Sequence, residues 1–205
     1  MPKITLYHAA PSRSSIVHWM LEELGELHEL HVLSLKNGEN RRPDYLAVNP
    51  LGKVPALKHG ETVITEAAAI CAYLADEFPR ARLNIPIGDP QRGVYLKWLF
   101  FGPSCIEPAI MDRAFPRKEG APRSASGYGE FEPLMDAVAQ AVSASPYLMG
   151  QQFTAADVVI GSTLRWGMLF KMLPERPEFT AYAARLPERP ALQRAESKDK
   201  TLAAA

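Results

Sequence analysis

The segment Asn49-Pro50-Leu51-Gly52-Lys53-Val54-Pro55-Ala56-Leu57 constrains the fold of this 205-residue chain more than any other. Its prolines and glycine exclude a helix, and Pro55 stands where a strand opens. An X-Pro bond adopts the cis form at modest cost, and proline has no N–H to offer a neighbouring strand. A cis Pro55 would leave the N–H and C=O of Val54 free to pair with an extended peptide, as though a strand were added. The alternative is an ordinary turn proline.

The flanking segments give this turn a context. Lys3 to Tyr7 alternates polar and apolar residues and reads as a strand. A polar loop, His8 to Ser12, leads to a helix marked by Ile16, Trp19, Met20 and Leu24, with Gly25 as its stop. Leu30 to Leu35 reads as a second, largely apolar strand. Polar residues 36–44 predict a loop with one irregular helical turn. Beyond the turn, Ala56 to Lys58 and Thr62 to Ile64 form a hairpin through His59-Gly60-Glu61. A helix carrying Ile70, Tyr73, Leu74 and Phe78 then starts near Thr65-Glu66. The order β-α-β, β-β-α predicts an α/β thioredoxin-like domain over residues 1–79.

Residues 80–90 are rich in proline and lack a period, so they read as a linker. Residues 91–205 read as an all-α domain. Its first helix bends near Gly102-Pro103. A loop follows over 117–129, then a helix carrying Phe131, Leu134, Met135, Val138 and Val142. Thr154 and Asp157 have capping-box spacing, flanked by Phe153 and Val158 as a hydrophobic staple, which predicts a buried helix from Thr154 towards Leu169. Short proline-separated helices complete the chain, and the tail after Glu196 is expected to fray.

Lys plus Arg and Asp plus Glu both number 23, so the formal net charge is zero. That argues against nucleic acid or an anionic membrane as the main partner. No apolar run nears the roughly 20 residues that span a bilayer, and Met1-Pro2-Lys3 opens no signal peptide, so a cytoplasmic location is expected. Cys71 and Cys105 have no metal or disulfide spacing, and Cys71 reads as a buried small hydrophobe. The five histidines lack ligand-like spacing and read as surface or half-buried, so no metal is expected.

Two further segments carry chemistry. Thr65-Glu66-Ala67 opens a helix, whose N–H groups attract a carboxylate, while the Glu66 carboxylate can hold an ammonium. Together they suit an α-amino acid end group. The alternative is that Glu66 merely complements the helix terminus. The loop from Tyr7 to Ser15 places hydroxyls beside a helix N-terminus, where a thiolate would be stabilised. At least one of Ser12, Ser14 and Ser15 is expected only to cap the helix.

On the segments Tyr7–Ser15, Asn49–Leu57 and Thr65–Leu74, the chain resembles the cytosolic glutathione transferases, and its helical remainder is similar to their second domain. The resemblance implies glutathione as cosubstrate, a hydrophobic electrophile as second substrate and a homodimer. It implies that Val54 pairs its backbone with the cysteinyl part of glutathione, that Pro55 is the cis proline, that Glu66 and Ala67 hold the γ-glutamyl end and that Lys53 reaches the glycyl carboxylate. Ala67 replaces the serine of many members, so one hydroxyl contact is missing. No cysteine lies near the first strand, which speaks against the cysteine-bearing types. Tyr7 matches the tyrosine type and Ser12 the serine type. Ser12 is favoured as the thiol-activating residue, with Tyr7 second and Ser14 third. Phe101, Cys105, Glu107, Pro108 and Trp166 are candidates for the electrophile site, as are Phe100 and Met111. The same scaffold hosts glutathione-dependent isomerases, dehalogenases and peroxidases, and non-catalytic binding or regulatory relatives.

Overall fold

The computed structural model describes residues 2–204. In chain order its elements are β1 (Ile4–His8), α1 (Ser14–Leu24), β2 (His28–Val32), α2 (Pro43–Leu46), β3 (Ala56–His59), β4 (Thr62–Thr65), α3 (Ala67–Glu77), α4 (Arg92–Phe101), α5 (Glu107–Ala114), α6 (Phe131–Ser143), α7 (Ala155–Leu169), α8 (Pro177–Arg185) and α9 (Pro190–Ala204). Two compact units share them, one of residues 1–81 and 188–205, the other of 82–187. Among the described residues no helix is long and apolar enough to cross a membrane.

The first unit is the expected thioredoxin-like layer, a four-stranded sheet ordered β2-β1-β3-β4. β1 runs parallel to β2 and antiparallel to β3, and β3 and β4 form the predicted hairpin. Gly60 takes the positive φ, 59°, that such a tight connection requires. Ile4, Leu6 and His8 share the buried face of β1, and α1 buries Ile16, Val17, Trp19, Met20 and Leu21. Gly25 ends α1 in the left-handed conformation and returns its N–H to Leu21 O. β2 is two residues earlier than the apolar run suggests. It pairs Ile4 with His28 through His8 with Val32 and is mostly half-buried or exposed. An edge strand covers less core, so tertiary pairing rather than hydrophobicity sets its bounds.

One other expectation fails here. The tail beyond Glu196 does not fray, because α9 runs unbroken to Ala204. Residues 188–204 pack with the first unit. Ion pairs explain both. Arg189 grips Glu23 through two hydrogen bonds of 2.6 and 2.7 Å. Glu22, only 7% exposed, accepts from Arg194 at 2.7 Å and Lys198 at 2.5 Å. Asp199 accepts from His18 and Ser15 on α1.

This anchoring has a pH signature. Burial opposes ionisation of Glu22, but Lys198 and Arg194 outweigh it and lower its pKa. Burial likewise opposes the Asp199 carboxylate, but hydrogen bonds from His18 and Ser15, together with the nearby His8 ring, hold it well below the usual carboxylate range. A lowered folded-state pKa contributes stability that is complete above the unfolded value, near 4, and is lost as pH falls through the folded value. Hydrogen exchange across residues 190–204 should therefore be slow at neutral pH and accelerate between about pH 4 and pH 2, while unchanged protection there would refute this anchoring.

The second unit contains α4 to α8 and, among the described residues, no ladder longer than isolated bridges at Tyr147–Gly150 and Met149–Gln152. Its first helix passes through a widened π-type turn at Gly102–Ile106 before α5, which is the predicted bend. Gly102 allows this turn to lie against α7, since a Cβ there would stand 3.1 Å from Val159. The α7 cap forms as predicted. Thr154 donates its N–H and its hydroxyl to Asp157 at 2.9 and 3.0 Å, and Phe153 and Val158 are both buried. Asp157 also accepts from Leu148 N–H and the Tyr182 hydroxyl, both at 2.8 Å.

Candidate active site

The Asn49–Leu57 turn is held by side chains of its own and of α2. Asn49 is buried, accepts from Leu51 N–H at 3.1 Å and donates to Lys53 C=O at 2.9 Å. Tyr45 donates to the same carbonyl at 2.5 Å. Gly52 has φ of 60°, and a Cβ there would stand 2.7 Å from the Asn40 carbonyl oxygen, so no larger residue fits. Val54–Pro55 is cis, and Ala10–Pro11 is a second cis bond. The Val54 backbone has no partner among the described hydrogen bonds.

Strand register brings the three chemical segments together. Tyr7 pairs with Ala56, and Ala56 pairs with Thr65. These residues form one row across the sheet. Antiparallel pairing means that the loop after Tyr7, the turn before Ala56 and the helix start after Thr65 all leave the sheet at the same end of its strands. Ser12, Val54 and Glu66 belong to those three segments, although up to 54 residues of chain separate them. Glu66 is exposed and holds φ 67° and ψ 117°, an unusual backbone for a residue with a Cβ, immediately before α3. Ala67 begins that helix. Lys53 has its side chain in solvent.

The hydroxyl candidates occupy different environments. Tyr7 is half-buried on the sheet face opposite Leu6. Its ring lies 4.9 Å from that of His31 and 5.5 Å from that of Tyr45. Ser12 is half-buried, accepts the Ser14 N–H at 3.1 Å and lies 2.7 Å from the Ser14 hydroxyl. It therefore does part of a capping residue's work at the α1 start, where Arg13 occupies the cap position but its side chain makes no capping hydrogen bond. Ser14 lies beneath the loop, fully buried. Its Oγ accepts from Ala9 N–H at 3.0 Å, contacts Ala9 C=O at 3.1 Å and meets His8 Nδ1 at 2.8 Å. Ser15 donates to Asp199.

The histidines depart from expectation. His8 and His18 are wholly buried rather than at or near the surface. Strand alternation turns His8 inward beside Leu6, and His18 follows Ser14 by one helical turn on the buried face of α1. Their rings lie 5.2 Å apart. His18 Nδ1 is 2.5 Å from Asp199 Oδ1, and His8 Nε2 is 3.2 Å from the same oxygen, off the line of an ideal hydrogen bond. The donor atoms of His8, His18 and Asp199 lie within 4.8 Å of one another. The i, i+4 spacing of Ser14 and His18 was a usable signal in the sequence, but nothing in it announced Asp199.

In the second unit, Phe101, Cys105, Glu107 and Pro108 are all half-buried along α4, the π turn and α5. Phe101 packs edge-on to Trp98 at 5.2 Å. Trp166 is half-buried on α7, its ring 4.8 Å from Phe170. Phe100 is exposed and Met111 half-buried. Cys71 is fully buried and burial pushes its thiol pKa up, which makes it inert as expected.

A four-stranded thioredoxin-like layer with a cis proline opening β3, followed by helices, defines the fold class. Known proteins narrow it. Residues 12–77 match the family model for the glutathione S-transferase N-terminal domain. Glutathione S-transferase GstA of Escherichia coli O157:H7 is 32% identical over 169 residues, 80% of this chain and 81% of that protein. The crystal structure of a glutathione transferase from Methylococcus capsulatus superposes with a TM-score of 0.79 at 32% identity, covering 97% of this chain and 99% of that one. A sphingomonad glutathione S-transferase complexed with glutathione gives 0.78 at 26% identity, covering 96% and 98%. The chain belongs to the glutathione S-transferase family of enzymes.

Proposed function

We propose that the protein binds glutathione at the end of the sheet after Tyr7, lowers the pKa of its thiol and adds the thiolate to a hydrophobic electrophile. The row Tyr7–Ala56–Thr65 carries this reading, because it gathers a hydroxyl, an unpaired peptide backbone and a helix start at one end of the sheet. The Val54 backbone pairs with the cysteinyl residue. Glu66 takes the ammonium and the N–H groups opening α3 take the carboxylate of the γ-glutamyl end. Lys53 reaches the glycyl carboxylate, and Pro55 sets the turn. Ala67 offers only its backbone N–H. Ser12 donates a hydrogen bond to the sulfur. Orientation and thiolate stabilisation supply the rate. Phe101, Cys105, Glu107, Pro108 and Trp166 are the proposed contacts to the electrophile. The resemblance also supports a cytoplasmic homodimer, which would sediment at twice the 22.7 kDa chain mass.

Calorimetric titration with glutathione tests the core of this reading. Binding should be measurable at millimolar glutathione, and Glu66→Gln should weaken it about fivefold, as for an exposed and screened ion pair worth about 1 kcal/mol. No binding at that concentration would overturn the assignment.

A further inference from the structure

We propose that the thiol proton is not released to solvent on glutathione binding but travels through the Ser12 and Ser14 hydroxyls to Nδ1 of His8, where Asp199 of the last helix holds the resulting imidazolium. The inference rests on the reading that Ser12 faces the sulfur.

The distances form a continuous line. Ser12 Oγ is 2.7 Å from Ser14 Oγ, Ser14 Oγ is 2.8 Å from His8 Nδ1, and His8 Nε2 is 3.2 Å from Asp199 Oδ1. Donor accounting gives the line a direction. An ionised carboxylate can only accept, so the His8 nitrogen facing Asp199 carries a hydrogen. In neutral His8 the other nitrogen, Nδ1, is then an acceptor. Ser14 has one proton to give, with His8 Nδ1 and Ala9 C=O as its fixed acceptors. One lone pair of Ser14 Oγ takes Ala9 N–H, which leaves the other for the Ser12 hydroxyl.

An incoming thiol completes the chain. Its S–H bond breaks and Ser12 Oγ takes the proton. Ser12 passes its own proton to Ser14, and Ser14 passes its own to His8 Nδ1. The electron pair of the broken bond stays on sulfur. Both hydroxyls end as donors pointing towards the thiolate, and His8 ends as an imidazolium. Addition of the thiolate to an electrophile yields a product that takes up one proton, which the same line returns.

The surroundings suit a buried positive charge. His8 is completely enclosed, so an imidazolium there requires a partner, and Asp199 supplies one. The off-line approach of Nε2 to Asp199 favours a charge interaction over a purely directional hydrogen bond. From α1, His18 faces His8 and donates to the same Asp199 oxygen, while Ser15 donates to the other oxygen. Glu22 stands 3.9 Å from His18 Nε2 and from His28 Nε2, and is neutralised by Lys198 and Arg194 from α9. His8 and Asp199 are thus positioning residues that act through Ser12.

The test is a proton inventory in weak buffer. Thiolate formed on glutathione binding is read by ultraviolet absorbance, and protons released are read with a pH indicator. The intact protein should release far fewer protons than thiolates formed. Asp199→Asn and His8→Asn should either form less thiolate or release one proton per thiolate, and Asp199→Glu should restore the original ratio. If His8→Asn does not fold, the wild-type inventory and Asp199→Asn still decide. One proton released per thiolate by the wild type would overturn the relay. So would uptake of one Zn²⁺ per chain that His8→Asn abolishes, since the cluster would then be a metal site. The underlying assignment fails separately. If Ser12→Ala leaves the thiol pKa unchanged, Ser12 does not face sulfur. If Ser12→Ala raises it while the wild type releases its proton, only the relay is wrong.

Discussion

Ser12→Ala is expected to raise the pKa of enzyme-bound glutathione by about one to two units and to lower conjugation slightly below neutral pH by about 10- to 100-fold. A hydrogen bond to a charged group is worth about 1.5–3 kcal/mol, and one pKa unit corresponds to about 1.4 kcal/mol. A free thiol titrates near 8.5, so losing the donor returns most bound glutathione to the thiol form. The loss should shrink at high pH, where the thiolate forms unaided. Tyr7→Phe should change the pKa little, because the Tyr7 ring packs against His31 and Tyr45 and the residue adjoins the cluster of Leu33, Tyr45 and Ala56. The reverse pattern, a shift with Tyr7→Phe and none with Ser12→Ala, would transfer the role to Tyr7. Ser14→Ala should destabilise the protein as well as alter the pKa, since its buried Oγ serves Ala9 and His8.

Asp157→Ala should cost about 4 kcal/mol of stability and lower the melting temperature by roughly 10 °C, with glutathione affinity per folded molecule little changed. The carboxylate accepts four hydrogen bonds, from Thr154 N–H, the Thr154 hydroxyl, Leu148 N–H and the Tyr182 hydroxyl. Truncation strands these buried donors, and each stranded donor costs about 1–3 kcal/mol before water or relaxation relieves it. Asp157→Asn should fall between wild type and Asp157→Ala, because its amide group can accept at one atom only. Burial raises the Asp157 pKa, against the lowering effect of those bonds. A raised carboxyl pKa contributes stability below the unfolded value and loses it as pH rises through the folded one. Asp157 thus titrates with the opposite sign to Glu22 and Asp199 and does not add to the acid loosening of α9. A melting shift under about 2 °C on Asp157→Ala would show that the cap is dispensable.

Features built from neighbours in sequence are legible in the sequence itself. Gly25 stopping α1, Gly60 turning the hairpin and the Thr154–Asp157 cap all depend on bonds that close within a few residues. The missed features depend on partners far along the chain. The bounds of β2 follow from its pairing with β1. The order in α9 follows from Arg189, Arg194, Lys198 and Asp199 meeting α1 across 166 to 184 residues. A polar helix of this kind reads as a fraying tail because its stabilising charges lie on another element.

The turn at Asn49–Leu57 marks the division. Its shape is set by residues close in the chain, since Asn49 bonds within its own loop, Tyr45 donates to the Lys53 carbonyl and Gly52 accepts a φ of 60° where a Cβ would strike Asn40. What faces it was decided by tertiary structure. Strand register carried the Ser12 and Glu66 segments to the same end of the sheet, and the packing of α9 brought Asp199 against Ser15, His18 and His8. A local conformation needs only local bonds. A line of polar groups through a core forms only when the whole unit closes, because each buried group must find its partner there or pay for its lost water.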